Sequence, residues 1–169
     1  MDFYKVINKR KSIRGYSSRH VEEAKLNRIL EAARIAPSAA NRQPWHFIVI
    51  SDKQKRKELG KAYDKDWFYN APVIICACGE LSSNWVRADG KNYNDVDVTI
   101  AMDHLILAAT AEGLGTCWIG AFDPKVVKEV LDLPVGIEPV ALTPLGYPAD
   151  TGRPKSRKSL NEIVHRENW

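Results

Sequence analysis

Cysteine is scarce in this chain, and its three cysteines are placed where they form neither a disulfide framework nor a metal site. Cys76 and Cys78 lie two residues apart in the apolar run 73–78, and Cys117 stands alone. An odd number of cysteines without a C-x-x-C pair lacks the usual zinc and iron–sulfur spacings, and the four histidines are scattered. The apolar run indicates a buried strand, on which Cys76 and Cys78 share one face. We therefore expect no metal and structural roles for the thiols.

Long hydrophobic runs are also missing. No stretch approaches the ~18 apolar residues of a membrane-spanning helix. Residues 1–5 do not show the pattern of a secretory signal, in which a charged region precedes an apolar one. These features predict a cytoplasmic protein without membrane contact. The 169 residues, of which 44% are hydrophobic, suit one domain over 1–169 that buries roughly 70% of its extended surface.

Basic residues, in contrast, are concentrated in two short clusters near opposite ends of the chain. Residues 9–14 (KRKSIR) and 153–158 (RPKSRK) hold eight of the 25 Lys and Arg residues and no acid. The remaining 17 basic residues face 21 acidic ones, so the rest of the chain carries −4 although the whole carries +4. Each cluster combines cations with a serine hydroxyl, which suits a phosphate-binding site. A solvated charge run is the alternative for either cluster alone.

Between the two clusters lies a turn that is rich in amide side chains. Residues 36–45 read APSAANRQPW, with Ser38, Asn41 and Gln43 between two prolines that interrupt a regular helix. Asn and Gln amides present both donors and acceptors, so they suit the edge of a heterocycle that carries C=O and N–H groups. Serine and asparagine beside proline also form ordinary turns. The position of this turn between two phosphate-binding clusters favours a binding role.

Hydrophobic periodicity and capping residues predict alternating helices and strands, with no linker long enough to separate domains. We expect helices over 2–9, 21–36, 52–63, 95–112 and 124–131, and strands over 46–50, 73–78, 116–120 and 138–146. Ser17 or Ser18 is the expected cap of the second helix, and the apolar helix 95–112 is expected to be buried on several sides. Pro144 predicts an edge position or irregular pairing for the last strand. This order of elements supports an α+β fold with three layers.

Four motifs together resemble those of the nitroreductase family of FMN-dependent oxidoreductases, in its short single-domain form. They are RKSIRGY (10–16), APSAANRQPWHF (36–47), GLGTCWIGAFD (113–123) and RPKSRKSL (153–160). No single motif is decisive, but all four occur in family order and at family spacing, and the likeness covers nearly the whole chain. The resemblance implies a three-layer α/β/α sandwich, with a mixed central sheet and flanking helices.

The resemblance also implies that the first and last motifs bind the phosphate end of FMN. The matching positions are Arg10, Lys11, Ser12, Lys155 and Arg157, and Arg14 matches the basic position near the pyrimidine end of the flavin. The family typically has Arg-Arg-Ser where this chain has Arg10-Lys11-Ser12. Because an ammonium point charge replaces a guanidinium, we expect Lys11 to contribute less than Arg10.

The two middle motifs are implied to face the flavin ring. The matching positions are Pro37, Ser38 and Asn41, which commonly contact FMN from the other subunit, Gln43, which supports that loop, and the backbone stretch Ile119, Gly120 and Ala121. Small residues in that stretch permit the close approach that brings a backbone N–H to flavin N5. No catalytic side chain is expected, since the cofactor carries the chemistry.

The implied activity is a ping-pong hydride transfer from NADH or NADPH through flavin N5 to electron-poor acceptors such as nitroaromatics and quinones. One pocket then serves two small-molecule substrates in turn, which favours an apolar and permissive wall. The segments 66–69 and 82–93, with Trp67, Trp85 and Tyr93, could form this wall, although such aromatics are more often core anchors. Because family FMN sites lie between subunits, the resemblance also implies a homodimer.

Three other interpretations stay open at this point. The first is a flavoenzyme of the same fold with another reaction, such as reductive dehalogenation or flavin fragmentation. The second is an FMN-binding protein without catalysis, which would hold flavin but not pass electrons rapidly to quinones. The third, a nucleic-acid-binding module, is disfavoured because the rest of the chain is net acidic and no stacking aromatics interleave with the basic clusters.

Overall fold

A four-stranded sheet organises the fold, with its strands in the order β1-β2-β4-β3. The computed structural model describes residues 2–169. Its strands are β1 (Trp45–Ile50), β2 (Val73–Glu80), β3 (Gly115–Thr116) and β4 (Ile137–Gly146). Its helices are α1 (Phe3–Lys9), α2 (Glu23–Arg34), α3 (Lys53–Leu59), α4 (Asp66–Tyr69), α5 (Asn94–Ala111) and α6 (Pro124–Val130), with short 3₁₀ turns at Ala39–Asn41 and Leu160–Glu162.

The two faces of β2 pack against different sets of helices, because side chains alternate along a strand. Val73 and Ile75 lie in a core cluster with buried residues of α2 and α5. Cys76 and Cys78 lie in a second cluster with α3, α4 and α6, and their Sγ atoms are 3.5 Å apart. The sheet therefore lies between two helical layers, which confirms the α+β fold with three layers. The shared face expected for the two cysteines is also confirmed.

The pairing within the sheet is antiparallel for β1 with β2, β2 with β4 and β3 with β4. Across residues 2–169, parallel pairing is limited to a single bridge between Ser12 and Thr116. The four-stranded sheet is therefore antiparallel, and not mixed as expected, because the one parallel bridge lies outside its strands. This bridge places the first basic cluster beside β3.

Strand β4 lies inside the sheet and not at its edge, so the predicted edge position was wrong. Leu142 exchanges backbone hydrogen bonds with Ile119 on the β3 side. Alternation along the strand directs the ring nitrogen of Pro144 to that same side. There the regular β3 ladder has ended, and the N–H of Cys117 donates to the Thr143 hydroxyl at 3.2 Å. The central strand β4 tolerates Pro144 because the proline ring nitrogen faces a gap in the hydrogen-bond ladder. The irregular pairing that was expected as the other possibility is confirmed.

Capping residues in the sequence predict the start of one helix correctly and the start of another incorrectly. Helix α6 begins as expected, with Pro124 in its first turn and the carboxylate of Asp123 accepting backbone hydrogen bonds from that turn. Helix α2 begins later than expected, and neither Ser17 nor Ser18 caps it. The backbone N–H of Ser17 donates instead to the carbonyl of Tyr147 at 2.9 Å. The Oγ of Ser17 accepts from the N–H of Arg19 at 3.3 Å, so Ser17 forms a turn before the helix and does not cap it.

Helix α5 lies at the centre of one core layer and is buried on several sides, as expected. Val98, Met102 and Leu105 are among its fully buried residues. Although α5 has 18 residues, it does not reach the length and hydropathy of a membrane span, and neither does any other helix within residues 2–169. Its first turn contains two buried polar residues, Asn94 and Asp97.

Candidate functional site

The structure brings the two basic clusters together in one cleft. A cavity of about 250 Å³ is lined by residues of both clusters, namely Arg10, Ser12, Arg14, Arg153, Pro154, Lys155, Ser156 and Arg157. We call this cavity the basic cleft. Of the sequence-predicted phosphate-binding residues, it contains Arg10, Ser12, Lys155 and Arg157.

A short pairing between distant segments explains why the clusters meet. Tyr16 forms an antiparallel bridge with Pro148, and Ala149 donates its backbone N–H to Gly15 at 2.8 Å. Next to this bridge, the carboxylate of Asp150 accepts hydrogen bonds from the backbone N–H groups of Arg14 and Gly152, each at 3.0 Å. This role of Asp150 was not predicted from the sequence. An aspartate two residues before a glycine is a recognisable turn pattern, but the bond to Arg14 has no local signal.

Alternation along the extended segment 10–14 decides which side chains enter the basic cleft. The segment is fixed against β3 by the Ser12–Thr116 bridge and by the bond of 2.8 Å from Ile13 N–H to the Thr116 carbonyl. Arg10, Ser12 and Arg14 line the cleft, whereas Ile13 lies among the buried core residues. Every second side chain of this segment, two arginines and a serine, therefore faces the cleft.

Lys11 lies on the other side of this segment and does not line the basic cleft. Its Nζ donates to the carbonyl of Thr151 at 3.4 Å. It lines a larger cavity of about 990 Å³ together with Lys5 and Lys9. Arg10 lines both cavities, so Lys11 is adjacent to the basic cleft without lining it.

The electrostatics of the basic cleft suit an anion. Lys155 donates to the carbonyls of Ile7 and Asn8, at 3.2 and 2.8 Å, and so is anchored at the C-terminal end of α1. Burial lowers the pKa of Lys155, and the neighbouring charge of Arg10 is the next largest cause. Among residues 2–169, neither Arg10, Lys155 nor Arg157 forms an ion pair with a carboxylate. These unneutralised cations fit the phosphate of FMN.

The amide-rich loop has a strained and well-defined conformation. Ala40, Asn41 and Gln43 all have positive φ angles, of 49°, 55° and 51°. A left-handed conformation costs an L-residue roughly 1–2 kcal/mol. Ser38 Oγ accepts a bond of 2.9 Å from Gln43 N–H, and Gln43 Nε2 donates to the carbonyl of Asn41 at 3.1 Å. The backbone N–H of Ala39 donates to the carboxylate of Asp97 in α5 at 2.9 Å.

This loop lies apart from the basic cleft within one chain. Pro37, Asn41 and Gln43 are exposed, and Ser38 is half-buried. The described residues that line the cleft and its two neighbouring cavities include none from 36–43. The structure therefore does not bring the second motif to the first and last motifs in a single protomer.

The third motif runs from the basic cleft towards an exposed stretch. Ile119 is buried and forms a bridge with Leu142, whereas Gly120 and Ala121 are exposed. A Cβ atom added to Gly120 would meet the Trp118 ring at 3.9 Å, so the backbone there has open space. These positions leave the 120–121 backbone accessible to a ring.

One of the two predicted wall segments reaches the basic cleft. The guanidinium of Arg14 lies 5.8 Å from the centroid of the Trp67 ring, which contacts Tyr63 edge to face. The segment 82–93 instead folds on itself, with a bridge between residues 86 and 92 and an edge-to-face contact of 4.8 Å between Trp85 and Tyr93. Trp67 is thus an aromatic neighbour of the cleft.

Comparison with known proteins gives a consistent result. The model of the nitroreductase family matches residues 7–64 and 61–147. A nitroreductase family protein of Clostridium difficile 630 is 38% identical, with 100% of both chains covered and a TM-score of 0.91. An FMN-dependent nitroreductase of C. difficile R20291 is 29% identical over 97% of this chain and 98% of that one, with a TM-score of 0.82.

A relative from Thermus thermophilus, named an NADH dehydrogenase, is 31% identical, with 92% of this chain and 91% of the relative covered. The similarity therefore extends along the chain, well beyond the four motifs. Together with the three-layer fold and the shared basic cleft of the first and last motifs, it shows that this chain belongs to the nitroreductase family.

Proposed function

We propose that this protein is an FMN-dependent oxidoreductase that takes hydride from NADH or NADPH and reduces electron-poor small molecules, such as nitroaromatics and quinones. The basic cleft carries this proposal, since cations from both ends of the chain converge there without a carboxylate partner. The FMN-dependent relative and the relative named NADH dehydrogenase support the cofactor and the donor. Because the nicotinamide donor is a cytoplasmic metabolite, we also propose a cytoplasmic location.

Each group of residues has a defined task in this proposal. Arg10, Ser12 and Arg157 bind the phosphate through charge-assisted hydrogen bonds, each worth roughly 1.5–3 kcal/mol. Lys155 adds charge and ties the cleft to α1. Arg14 places a positive charge beside the site of the flavin ring, where it favours reduction of the flavin. Bound FMN supplies the hydride acceptor and donor at N5.

A homodimer would complete the site. The amide-rich loop is too separate from its own basic cleft to serve it, so we propose that the loop serves the cleft of a second copy. Exposed apolar side chains support such a contact. In the C-terminal segment, Leu160 and Trp169 are 72% and 101% exposed. Phe3 at the start of α1 and Ile35 just after α2 are 60% and 63% exposed. An isologous interface then gives two equivalent sites.

An absorbance spectrum followed by anaerobic reduction tests the activity. The purified protein should show flavin bands that bleach with NADH or NADPH and return on addition of a quinone or a nitroaromatic. Flavin that is reduced but not reoxidised by these acceptors would move the assignment to dehalogenation, flavin fragmentation or a binding role. A colourless protein that takes up no added FMN would refute the proposal.

Light scattering tests the assembly. The FMN-loaded protein should have twice the mass of the chain of 19.0 kDa. A monomer that binds FMN tightly would show that one chain completes the site, and the role proposed for the loop would be wrong.

A further inference from the structure

Hydrogen bonds within the amide-rich loop hold its unfavourable backbone conformation. Ala40 and Gln43 adopt left-handed backbone angles that are strained for residues with these side chains, whereas Asn41 tolerates such angles better. The bonds of Gln43 to Ser38 and to Asn41 join loop residues to one another. They stabilise the shape of the loop but do not fix its position relative to the sheet and helices.

A single hydrogen bond joins residues 38–43 to another element, as far as residues 2–169 show. It runs from the backbone N–H of Ala39 to Oδ1 of Asp97, at 2.9 Å, between residues 58 positions apart. Asp97 lies in the first turns of α5, the most buried helix of its layer. Its side chain is 1% exposed, so water competes little for this bond. A carboxylate is also a stronger acceptor than a neutral group.

The surroundings of Asp97 are unfavourable for a residue that serves folding alone. Its second oxygen, Oδ2, is buried and lacks a hydrogen-bond partner among the described residues. The next residues of α5 on this buried side, Val98 and Ala101, are apolar and fully buried. A partly satisfied carboxylate costs free energy in such a core, where an apolar side chain would pack without that cost. The hydrogen bond from Ala39 therefore offsets the free-energy cost of burying this carboxylate.

We propose that Asp97 is a positioning residue for the flavin. Through Ala39 it holds the loop in the shape and place that Ser38 and Asn41 need in order to contact FMN in the basic cleft of the partner subunit. This inference rests on the FMN site and the homodimer proposed above. It adds a residue from the core of α5, which touches no part of the cleft itself.

Hydrogen exchange and FMN titration of three variants test this role. Asp97→Ala should speed amide exchange of residues 38–43 in the FMN-free protein and raise the Kd for FMN by about tenfold or more. Asp97→Asn keeps an acceptor oxygen and should restore most of the affinity. Asp95→Ala removes a carboxylate from the exposed side of the same turn of α5 without touching the loop, and should behave as wild type in both measurements.

The outcomes separate this role from a structural one and from failure of the proposed function. If Asp97→Ala lowers the melting temperature but binds FMN as wild type, Asp97 only stabilises the fold and the inference is wrong. If wild type itself binds no FMN, the proposed function fails, while faster exchange in the loop would still show the positioning contact.

A mixed dimer tests whether the loop acts across the interface. Arg10→Ala damages the cleft and Asp97→Ala damages the loop, so a dimer with one copy of each has one intact site and one site with both defects. Half of the sites should then bind FMN with wild-type affinity, although each homodimer binds weakly. If no tight sites appear in the mixed dimer, the loop serves its own chain and the proposal is overturned.

Discussion

The carboxylate of Asp150 accepts a hydrogen bond of 3.0 Å from the backbone N–H of Arg14, across 136 residues of sequence. The same carboxylate accepts a bond from Gly152 at 3.0 Å, so one side chain fixes both halves of the basic cleft. Gly15 lies directly beside this side chain, since an added Cβ would be in van der Waals contact with it at 3.4 Å. The spacing of the two clusters therefore depends on an acidic residue that carries no phosphate contact.

Asp150→Ala should weaken FMN binding by about tenfold, because a backbone N–H loses its charged acceptor and the two clusters are no longer held together. Fluorescence titration with FMN measures this effect. Asp64→Ala, which removes an exposed carboxylate elsewhere, is the control. Unchanged affinity in Asp150→Ala would mean that the bridge of Tyr16 with Pro148 holds the cleft without help.

Arg157→Ala and Arg10→Ala should weaken FMN binding strongly and leave riboflavin binding almost unchanged, because riboflavin lacks the phosphate. Each lost contact corresponds to roughly 1.5–3 kcal/mol, or about ten- to one-hundredfold in Kd. Arg34→Ala, which removes a guanidinium from a surface ion pair with Glu31, should affect neither flavin. Equal weakening of both flavins would assign the two arginines to stability and not to the phosphate.

Lys11→Ala should change the Kd for FMN by less than about threefold, since the Lys11 ammonium donates to the Thr151 carbonyl and does not line the basic cleft. The comparison is with Arg10→Ala in the same titration. If both variants lose affinity equally, Lys11 reorients on binding and makes the full contact of the family's second arginine.

Tyr147→Phe should flatten the acid side of the stability profile. The Tyr147 hydroxyl donates to Glu22 at 2.6 Å, and this bond is the main cause that lowers the pKa of Glu22 from 4.5 to about 2. A carboxyl with a lowered pKa stabilises the fold above about pH 4.5 and loses that contribution as the pH falls towards 2. Melting temperatures between pH 5 and 2 should therefore fall less steeply in the variant than in wild type.

Tyr4→Phe, which alters an exposed tyrosine, is the control for this measurement and should keep the wild-type slope. Parallel profiles for wild type and Tyr147→Phe would contradict the assignment. The backbone and Arg19, the other groups that lower the pKa of Glu22, would then dominate.

Local signals in the sequence predicted those elements whose cause is local. The start of α6 follows from Asp123 and Pro124 alone, and the alternate packing of β2 follows from its continuous apolar run. The position of β4 did not follow from Pro144, because a gap in β3 compensates for the missing N–H. That gap is a property of two strands together, and it is not visible in either sequence segment.

The same distinction applies to the site. The cationic residues of the basic cleft were predicted from composition and motif order, since clusters of charged and hydroxyl side chains can be recognised directly in a sequence. Asp150 and Asp97 were missed, because each acts through a backbone N–H that lies far away along the chain. A carboxylate with such a partner has the same appearance in a sequence as any surface acid. Predicting which side Lys11 faces also requires knowledge of the bridge of Ser12 with Thr116.

The basic cleft joins the two ends of the polypeptide, and Lys155 already contacts Asn8 across 147 positions. A phosphate bound there would add a second, removable link between α1 and the C-terminal segment to the bonds that Lys155 makes. Release of the cofactor would loosen α1 and the C-terminal segment together, because cations beside both contribute to the same site.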